Sequence, residues 1–168
     1  QVETTMAEDF GVKGRGRLYE ELGAIRDVVQ NHLLQVVALL TMEPPAGHDP
    51  EAIRDAAGQA FKAMRALKPE DVVRGQVTGY RSEPGVSPES TVETFAALRL
   101  FIDSWRWAGV PFLIRAGKYL PIRATEVRVV LHRPPHFVFH QSDAPRNYLR
   151  FRLSPSVVVE LGALAKRP

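Results

Sequence analysis

Apolar residues recur at three- and four-residue steps in the first third of the chain. The stripe, which includes one histidine, consists of Ile25, Val28, Val29, His32, Leu33, Val36, Val37 and Leu40. This spacing predicts a helix over about 24–42 with one buried face, and Pro44 ends it because proline cannot continue a helix. Asp49 followed by Pro50 is typical of a helix start, and a second apolar series predicts a helix from there to the residue before Pro69. We therefore expect an antiparallel helix pair joined by a proline-rich loop.

Beyond Pro69 the chain changes to short β-type runs that are separated by turn residues. The runs are Val72–Tyr80, Glu93–Ile102, Val110–Arg115, Thr125–Leu131, Asn147–Leu153 and Val157–Leu161. A further strand is predicted at the start of the chain, over Val2–Met6. Strands that follow one another without intervening helices are typical of an antiparallel sheet. The expected fold class is α+β, an antiparallel β-sheet with the N-terminal helix pair packed on one face.

Composition narrows the class of protein further. The chain has 168 residues, 45% of them hydrophobic, which suffices for a single domain over 1–168 with its own core. Its 22 Lys and Arg against 19 Asp and Glu give a net charge of +3, and the cations are dispersed, so we expect no nucleic-acid partner. The absence of cysteine excludes disulfides, thiolate metal sites and cysteine nucleophiles. The apolar runs are too short to span a bilayer, so we expect no membrane segment.

Two polar residues on the first predicted helix could carry chemistry. His32 lies within the apolar stripe, so we expect its imidazole to be partly buried, and burial favours the neutral, proton-accepting form. That form suits a general base, although position alone favours a core histidine bonded to a backbone carbonyl. Asp27 lies five residues earlier, about 140° around an α-helix, so we expect no close pair between them. Asp27 is either part of a shared cleft or a carboxylate at the positive end of the helix.

A cationic cluster follows the strand predicted at Val110–Arg115. Lys118 comes shortly after this strand, and Arg123 lies five residues further on. Cations at the end of a core strand suit an anionic or polyhydroxyl ligand, although a solvated strand end is the more common reason for such a cluster. Glycines at 11, 14 and 16 predict a loop over Glu8–Gly16. Glu8, at the start of this glycine-rich loop, is open to the same two interpretations.

We expect neither a metal site nor a phosphate-binding loop. The histidines outside the first helix lack the spacing of metal-binding helices, and no cysteine supports them. They are His48, His132, His136 and His140. The glycines at 11, 14 and 16 do not have the spacing of a nucleotide-binding loop.

Five segments together resemble one enzyme family. They are EDFGVKGRG at Glu8–Gly16, IRDVVQNHLLQ at Ile25–Gln35, ETFAALRL at Glu93–Leu100, RWAGVPFLIRAGKYL at Arg106–Leu120 and NYLRFRL at Asn147–Leu153. In order, and over almost the whole chain, they resemble the C-terminal domain of glucose-6-phosphate dehydrogenase of the bacterial type. The resemblance implies oxidation of glucose 6-phosphate at C1 to 6-phosphogluconolactone, with hydride transfer to NADP, the first step of the pentose phosphate pathway.

The resemblance also implies roles for individual residues. His32 aligns with the general base that takes the proton of the C1 hydroxyl, which favours the catalytic interpretation over the structural one. Glu8 and Asp27 align with carboxylates that hold sugar hydroxyls, and Lys118 and Arg123 align with cationic positions that bind the substrate. From the family we also expect a cytoplasmic enzyme and a homo-oligomer, a dimer or tetramer, formed through the β-sheet.

The chain departs from the family in what it lacks. The Rossmann glycine fingerprint is absent, so we expect NADP to be bound mainly by a domain outside this chain, and we assign no cofactor-binding residue here. The family segment that supplies the aspartate orienting the base is absent too. The chain begins with Gln1 and a strand, and stops soon after Leu161, so we expect a truncated sheet cut from a larger protein.

Two functions remain open for the chain. Since hydride transfer needs a nicotinamide bound by the missing domain, we expect these 168 residues alone to be inactive. The alternative is a stand-alone or degenerate module that binds a sugar phosphate or mediates oligomerisation without catalysis.

Overall fold

The computed structural model describes residues 1–12, 14–133 and 145–165. Its helices are α1 at Gly16–Ala24, a π-helix at Ile25–Leu33, α2 at Leu34–Thr41 and α3 at Pro50–Lys62, with short 3₁₀ turns at Pro69–Asp71 and Tyr80–Ser82. Its strands are β1 Val2–Ala7, β2 Val72–Gly75, β3 Phe95–Leu100, β4 Phe112–Gly117, β5 Ala124–Val130, β6 Tyr148–Ser154 and β7 Val158–Gly162. His136 and His140, where no metal site is expected, lie outside the described residues.

Within these residues the strands form one seven-stranded sheet in the order β2-β3-β4-β1-β5-β6-β7. Neighbouring strands run antiparallel, except that β1 and β4 are parallel, from Val2 opposite Phe112 to Ala7 opposite Gly117. The predicted antiparallel sheet is confirmed for every pair but this one. The exception arises because the chain leaves β1 through the helices and not through a hairpin, and a long crossover allows it to return beside β1 in the same direction.

The helices pack on one face of the sheet, as the sequence predicts. One core cluster joins Val28, Val29, Leu33 and Val37 of the helices to Ala96, Leu98, Phe112 and Ile114 of the sheet. Burial of a side chain of this kind contributes roughly 1.5–3 kcal/mol, so this contact is the main source of stability for the helix layer.

The second helix of the pair begins where Asp49 and Pro50 predict. The Asp49 carboxylate accepts hydrogen bonds from the backbone N–H groups of Glu51 and Ala52, at 3.0 and 2.9 Å, which satisfies donors that the helix itself leaves unpaired. α3 packs against α2 through small side chains, Ala57 and Ala60 among them. The helix pair is therefore confirmed, although α3 ends earlier than the residue before Pro69.

The first helix differs from its prediction in both start and type. Helical structure begins at Gly16, inside the segment expected to be a loop, and Gly23, with φ +63°, turns the chain before the π-helix begins. The predicted strand over Val72–Tyr80 is also shorter, because the chain turns after Gly75 and buries Tyr80 to 1% exposure. None of the helices in the described ranges has the length and apolar character that a membrane crossing requires.

Candidate active site

The candidate site is built where two parallel strands end side by side. β1 ends at Ala7 and β4 at Gly117, and these residues are partners in the parallel register. The next residue of each strand is charged, Glu8 after β1 and Lys118 after β4. The Glu8 N–H donates to the Gly117 carbonyl at 3.0 Å, and Lys118 Nζ donates to Glu8 Oε2 at 2.7 Å. The parallel pairing thus joins two charged residues that are far apart in sequence.

The Lys118 ammonium occupies a buried, aromatic environment. Only 2% of its side chain is exposed, and Nζ lies 5.2 Å from the ring centroids of both Phe10 and Tyr19, within cation–π range. A buried ammonium is costly unless it is compensated, and here one carboxylate and two ring faces compensate it. Lys118 is therefore not a solvated strand end. Arg123 is exposed, with its guanidinium 5.7 Å from the Phe10 ring, at the rim of the cluster.

The loop after β1 is tied to the segment after β4. The Tyr119 N–H donates to the Phe10 carbonyl at 3.2 Å, and the Leu120 N–H donates to the Glu8 carbonyl at 2.9 Å. The Tyr119 ring lies so close to Gly11 that a Cβ at this position would be 1.9 Å from ring atoms. A side chain at this position would displace the Tyr119 ring from where it lies. These contacts fix the backbone that carries Glu8.

Tyr19 of α1 lies among the acidic side chains of the cluster. It is 4% exposed, and its hydroxyl has no hydrogen-bond partner in the part of the chain that the structure describes. Burial raises the pKa of Tyr19 far above its usual value of 10, and the negative charges of Asp27, Glu8 and Glu93 raise this pKa further. The phenol therefore remains protonated at physiological pH, and three carboxylates lie near it.

The π-helix changes the relation between Asp27 and His32. Its backbone hydrogen bonds span five residues, as does the bond from the Leu34 N–H to the Val29 carbonyl at its end. Asp27 and His32 are five residues apart, so they lie about one turn apart on the same side of this helix. The expected separation of about 140° is wrong, because it assumes α-helical geometry.

His32 is exposed, so the expectation that its imidazole is partly buried is wrong. The buried residues of the π-helix are Val28, Val29 and Leu33. The first and last of these are five residues apart, so the buried face follows the π-helical repeat and His32 lies beside it. His32 makes no side-chain hydrogen bond with another described residue, so a ligand can approach the imidazole.

Asp27 lies in the first turn of the π-helix and is half-buried. Both interpretations that the sequence left open for this residue therefore apply. It is a carboxylate at the positive end of a helix, and its negative charge acts on the Tyr19 phenol together with that of Glu8. The structure thus joins Glu8 and Lys118 beside the Tyr19 ring, places Asp27 near enough for its charge to raise the Tyr19 pKa, and leaves His32 and Arg123 exposed.

Sequence reasoning missed three members of this cluster, namely Phe10, Tyr19 and Glu93. Phe10 lies in the segment interpreted only as a glycine-rich loop, and Glu93 lies at the start of a predicted strand. A signal for Tyr19 does exist in the sequence, because Tyr19, Leu22 and Ile25 extend the helical stripe backwards at three-residue steps.

The cluster has the chemistry to bind a neutral polyhydroxyl group. Carboxylates accept hydrogen bonds from hydroxyls, and an ammonium or guanidinium donates hydrogen bonds to hydroxyl or phosphate oxygens. No group of three or more His, Asp and Glu within residues 1–12, 14–133 and 145–165 is arranged to hold a metal ion.

Several glucose-6-phosphate 1-dehydrogenases are similar to the chain in sequence. It is 50% identical over 157 residues to glucose-6-phosphate 1-dehydrogenase 1 of Mycobacterium tuberculosis, a match that covers 92% of the chain and 34% of the relative. It is 44% identical over 181 residues to the glucose-6-phosphate 1-dehydrogenase of Aggregatibacter actinomycetemcomitans, which covers 99% of the chain and 36% of the relative. The chain therefore spans little more than a third of the length of these curated relatives.

Solved structures agree with these relatives. The chain superimposes with a TM-score of 0.94 and 48% identity on glucose-6-phosphate 1-dehydrogenase from Mycobacterium avium, over 99% of the chain and 38% of that structure. A glucose-6-phosphate dehydrogenase in complex with its substrate glucose-6-phosphate matches with a TM-score of 0.90 and 39% identity, over 99% of the chain and 36% of that structure. Residues 1–168 match the family model described as glucose-6-phosphate dehydrogenase, C-terminal domain. The chain belongs to the glucose-6-phosphate dehydrogenase family, of which it represents the C-terminal domain.

Proposed function

We propose that the chain supplies the sugar-binding part of an enzyme that oxidises glucose 6-phosphate at C1 to 6-phosphogluconolactone, with NADP as the hydride acceptor. The observation that carries this proposal is the buried Lys118–Glu8 pair at the joined ends of two parallel strands. A structural neighbour that matches 99% of the chain has glucose-6-phosphate as its substrate, and this supports the same ligand here.

Each charged residue of the site has a separate role in binding. Glu8 and Asp27 accept hydrogen bonds from sugar hydroxyls, and Lys118 donates to a sugar oxygen from a position fixed by Phe10 and Tyr19. Arg123, exposed at the rim, contributes a further cation that faces the approaching substrate. Since oriented groups accelerate a reaction by holding the reacting atom in place, these contacts serve to position C1.

His32 is the proposed general base, which takes the proton of the C1 hydroxyl. It lies one π-helical turn beyond Asp27 and on the same side, so a sugar held by Asp27 extends towards the imidazole. Its exposed position leaves both ring nitrogens free of other described residues, as a proton acceptor requires.

The described residues do not fit a dinucleotide-binding motif, although the family implies NAD(P) dependence. Such a motif needs glycines that leave space for a pyrophosphate at the start of a helix. Here the Tyr119 ring covers Gly11, and a Cβ on Gly16, at the start of α1, would lie 2.3 Å from the Pro84 carbonyl oxygen. We therefore place NADP binding outside this chain and expect these residues alone to be inactive.

Oligomerisation through the sheet is part of the same proposal. The edge strand β7 and the residue just before it expose apolar side chains, with Val157, Val159 and Leu161 each at least 66% exposed. An exposed apolar strand edge favours association with another chain. Sedimentation of the enzyme that contains this chain tests the proposal, which predicts a dimer or tetramer. We also propose a cytoplasmic location. A relative from Solanum tuberosum that is 41% identical to the chain is named as a cytoplasmic isoform, which supports this proposal.

One observation favours a second candidate function, a module that binds a sugar phosphate without catalysis. No described residue makes a hydrogen bond that would orient the His32 side chain, whereas a catalytic histidine is normally oriented by a second group. In this alternative the carboxylates and Lys118 bind the ligand and His32 has no role in a reaction.

Replacement of His32 in the complete enzyme separates the two functions. His32→Ala is expected to lower kcat by about 10²–10⁴-fold with little change in KM, because the base acts mainly in the transition state. His48→Ala, which removes another exposed histidine, is the matched control and is expected to leave kcat unchanged. An unaltered kcat in His32→Ala would exclude this residue as the base. Glucose 6-phosphate binding without turnover by the unmodified enzyme would favour the second function.

A further inference from the structure

Glu93 holds the start of the π-helix through two successive backbone contacts. Its carbonyl oxygen accepts the Ala24 N–H at 2.9 Å, and its side-chain Oε1 accepts the Ile25 N–H at 3.0 Å. The side chain is only 11% exposed. Because the first N–H groups of a helix have no partner within the helix, a carboxylate that accepts one of them fixes where the helix begins.

Gly23 makes this close approach possible. Its φ of +63° is unfavourable for residues with a side chain, and a Cβ at this position would lie 2.5 Å from Glu93 Oε1. The backbone conformation and the free space both require glycine at the point where α1 gives way to the π-helix. The Glu93 carboxylate can therefore lie in this place only because residue 23 has no side chain.

The same short segment also holds the other half of the site. The carbonyl of Thr94, the next residue, accepts the Lys118 N–H at 3.0 Å. Thr94 is itself 1% exposed, and its Oγ1 accepts the Val77 N–H at 2.8 Å. Glu93 and Thr94 thus connect the helix that carries Asp27 to the strand end that carries Lys118.

We propose that Glu93 is a positioning residue for the site, which acts by fixing the start of the π-helix and hence the places of Asp27 and His32 relative to Lys118. The inference rests on the proposed function, and it adds a residue that touches none of the reacting atoms. Arg74 lies on the far side of the carboxylate, with Nη1 4.0 Å from Glu93 Oε2, and 63% of its side chain is exposed. Arg74 therefore provides a matched control, because its loss removes the ion pair and leaves the helix contact intact.

The test compares Glu93→Ala, Glu93→Gln and Arg74→Ala in the complete enzyme. Glu93→Ala is expected to lower kcat/KM by about 10–10²-fold, since small displacements of catalytic groups have effects of this size. Glu93→Gln keeps an oxygen that accepts the Ile25 N–H and is expected to stay within about threefold of the unmodified enzyme. Arg74→Ala is expected to leave kcat/KM unchanged. If Glu93→Gln is as impaired as Glu93→Ala, or if Glu93→Ala resembles Arg74→Ala, the proposal is wrong.

A double-mutant cycle distinguishes positioning from general destabilisation. If Glu93 acts through the π-helix, then Glu93→Ala has little further effect on kcat in an enzyme that already carries His32→Ala, whereas additive effects would contradict the proposal. Glu93→Asp provides a second variant in case Glu93→Ala does not fold. It keeps the charge but withdraws the oxygen from the Ile25 N–H, so an intermediate loss of kcat/KM is expected.

The outcome for Glu93 is distinct from the outcome for the proposed function. If His32→Ala lowers kcat while the Glu93 variants do not lower kcat/KM, only the positioning role is wrong. If His32→Ala has no effect, the general-base assignment is wrong. The dissociation constant of glucose 6-phosphate then tests whether Glu93 positions Asp27 for binding. Glu93→Ala is expected to raise that constant about 10-fold, and an unchanged constant would overturn the positioning role as well.

Discussion

Two buried tyrosines in edge-to-face contact have different surroundings. Tyr19 and Tyr80 are 4% and 1% exposed, and their rings lie 6.0 Å apart at 71°. The Tyr80 hydroxyl donates to Glu20 Oε1 at 2.8 Å, whereas the Tyr19 hydroxyl has no partner among the described residues. Since native structures satisfy nearly all buried polar groups, the two tyrosines differ in how completely their surroundings satisfy a buried hydroxyl.

The region of Tyr80 is a structural anchor. Glu20 accepts three hydrogen bonds from the segment that follows β2, from the Tyr80 hydroxyl, from the Ser90 hydroxyl at 2.5 Å and from the Ser87 N–H at 3.4 Å. These bonds close a long loop onto α1. Tyr19, the preceding residue of the same helix, lies against a buried ammonium and near three carboxylates, an arrangement that is costly to fold but suited to bind a ligand.

Lys118→Ala, in the region of Tyr19, is expected to change stability and activity more than any other substitution considered for the two regions. The substitution leaves the Glu8 carboxylate without its buried partner and is expected to lower the free energy of unfolding by about 3–5 kcal/mol, with a loss of kcat/KM of about 10²-fold. Urea unfolding and steady-state kinetics of the complete enzyme measure both effects. Arg65→Ala is the control, because its pair with Asp103 is also 2.7 Å long but exposed, and it is expected to leave both quantities unchanged. Equal effects of the two substitutions would show that the buried Lys118–Glu8 pair matters no more than an exposed one.

Tyr80→Phe is expected to have a smaller effect, confined to stability. Removal of a hydrogen bond to a carboxylate lowers the free energy of unfolding by roughly 1.5–3 kcal/mol, and kcat/KM is expected to remain unchanged. Tyr119→Phe is the control, because the Tyr119 hydroxyl donates to Glu83 at an exposed position. A loss of activity in Tyr80→Phe would show that the anchor belongs to the site.

The effect of Tyr80→Phe should also depend on pH. Although burial acts to raise the pKa of Glu20, hydrogen bonds from Ser90, Tyr80 and Ser87 lower this pKa below its usual value of 4.5. A lowered pKa in the folded state contributes stability that is present above the unfolded-state value and lost as pH falls through the folded-state value. The difference between Tyr80→Phe and the unmodified enzyme is therefore expected to diminish as pH falls below the usual value of 4.5 and through the lower folded-state pKa of Glu20.

Tyr19→Phe is expected to have the smallest effect, with the opposite sign. Because the hydroxyl is buried without a partner, its removal is expected to raise the free energy of unfolding by up to about 1 kcal/mol. The ring remains, so its cation–π contact with Lys118 remains too. Urea unfolding measures the change. Destabilisation as large as that of Tyr80→Phe would show that the Tyr19 hydroxyl has a partner after all.

The sequence predicts the helix pair and the strands well because these depend on local periodicity. It could not reveal the parallel pair of β1 and β4, since nothing local records which distant strand lies beside β1. The π-helix is also invisible to a method that assumes 3.6 residues per turn, so both the exposure of His32 and its relation to Asp27 were predicted wrongly.

For the site, the family resemblance selected the charged residues, and the structure supplies the reason that three of them lie together. Glu8, Asp27 and Lys118 come from a loop, a helix and a strand end, and they lie around Tyr19, for which the sequence had suggested no role. The roles of all five residues, His32 and Arg123 included, remain predictions. Glu93 looked like an ordinary strand residue because its importance lies in the Ile25 N–H that it accepts, and this contact joins residues 68 positions apart.

The parallel pairing of β1 and β4 also bears on how this domain folds. Glu8 leaves the ribosome 110 residues before Lys118, and contacts of such range form slowly because the entropy of loop closure opposes them. Until β4 docks in the middle of the sheet, the Glu8 carboxylate has no Lys118 ammonium beside it. The buried ion pair of the proposed site should therefore form only when the centre of the sheet is complete.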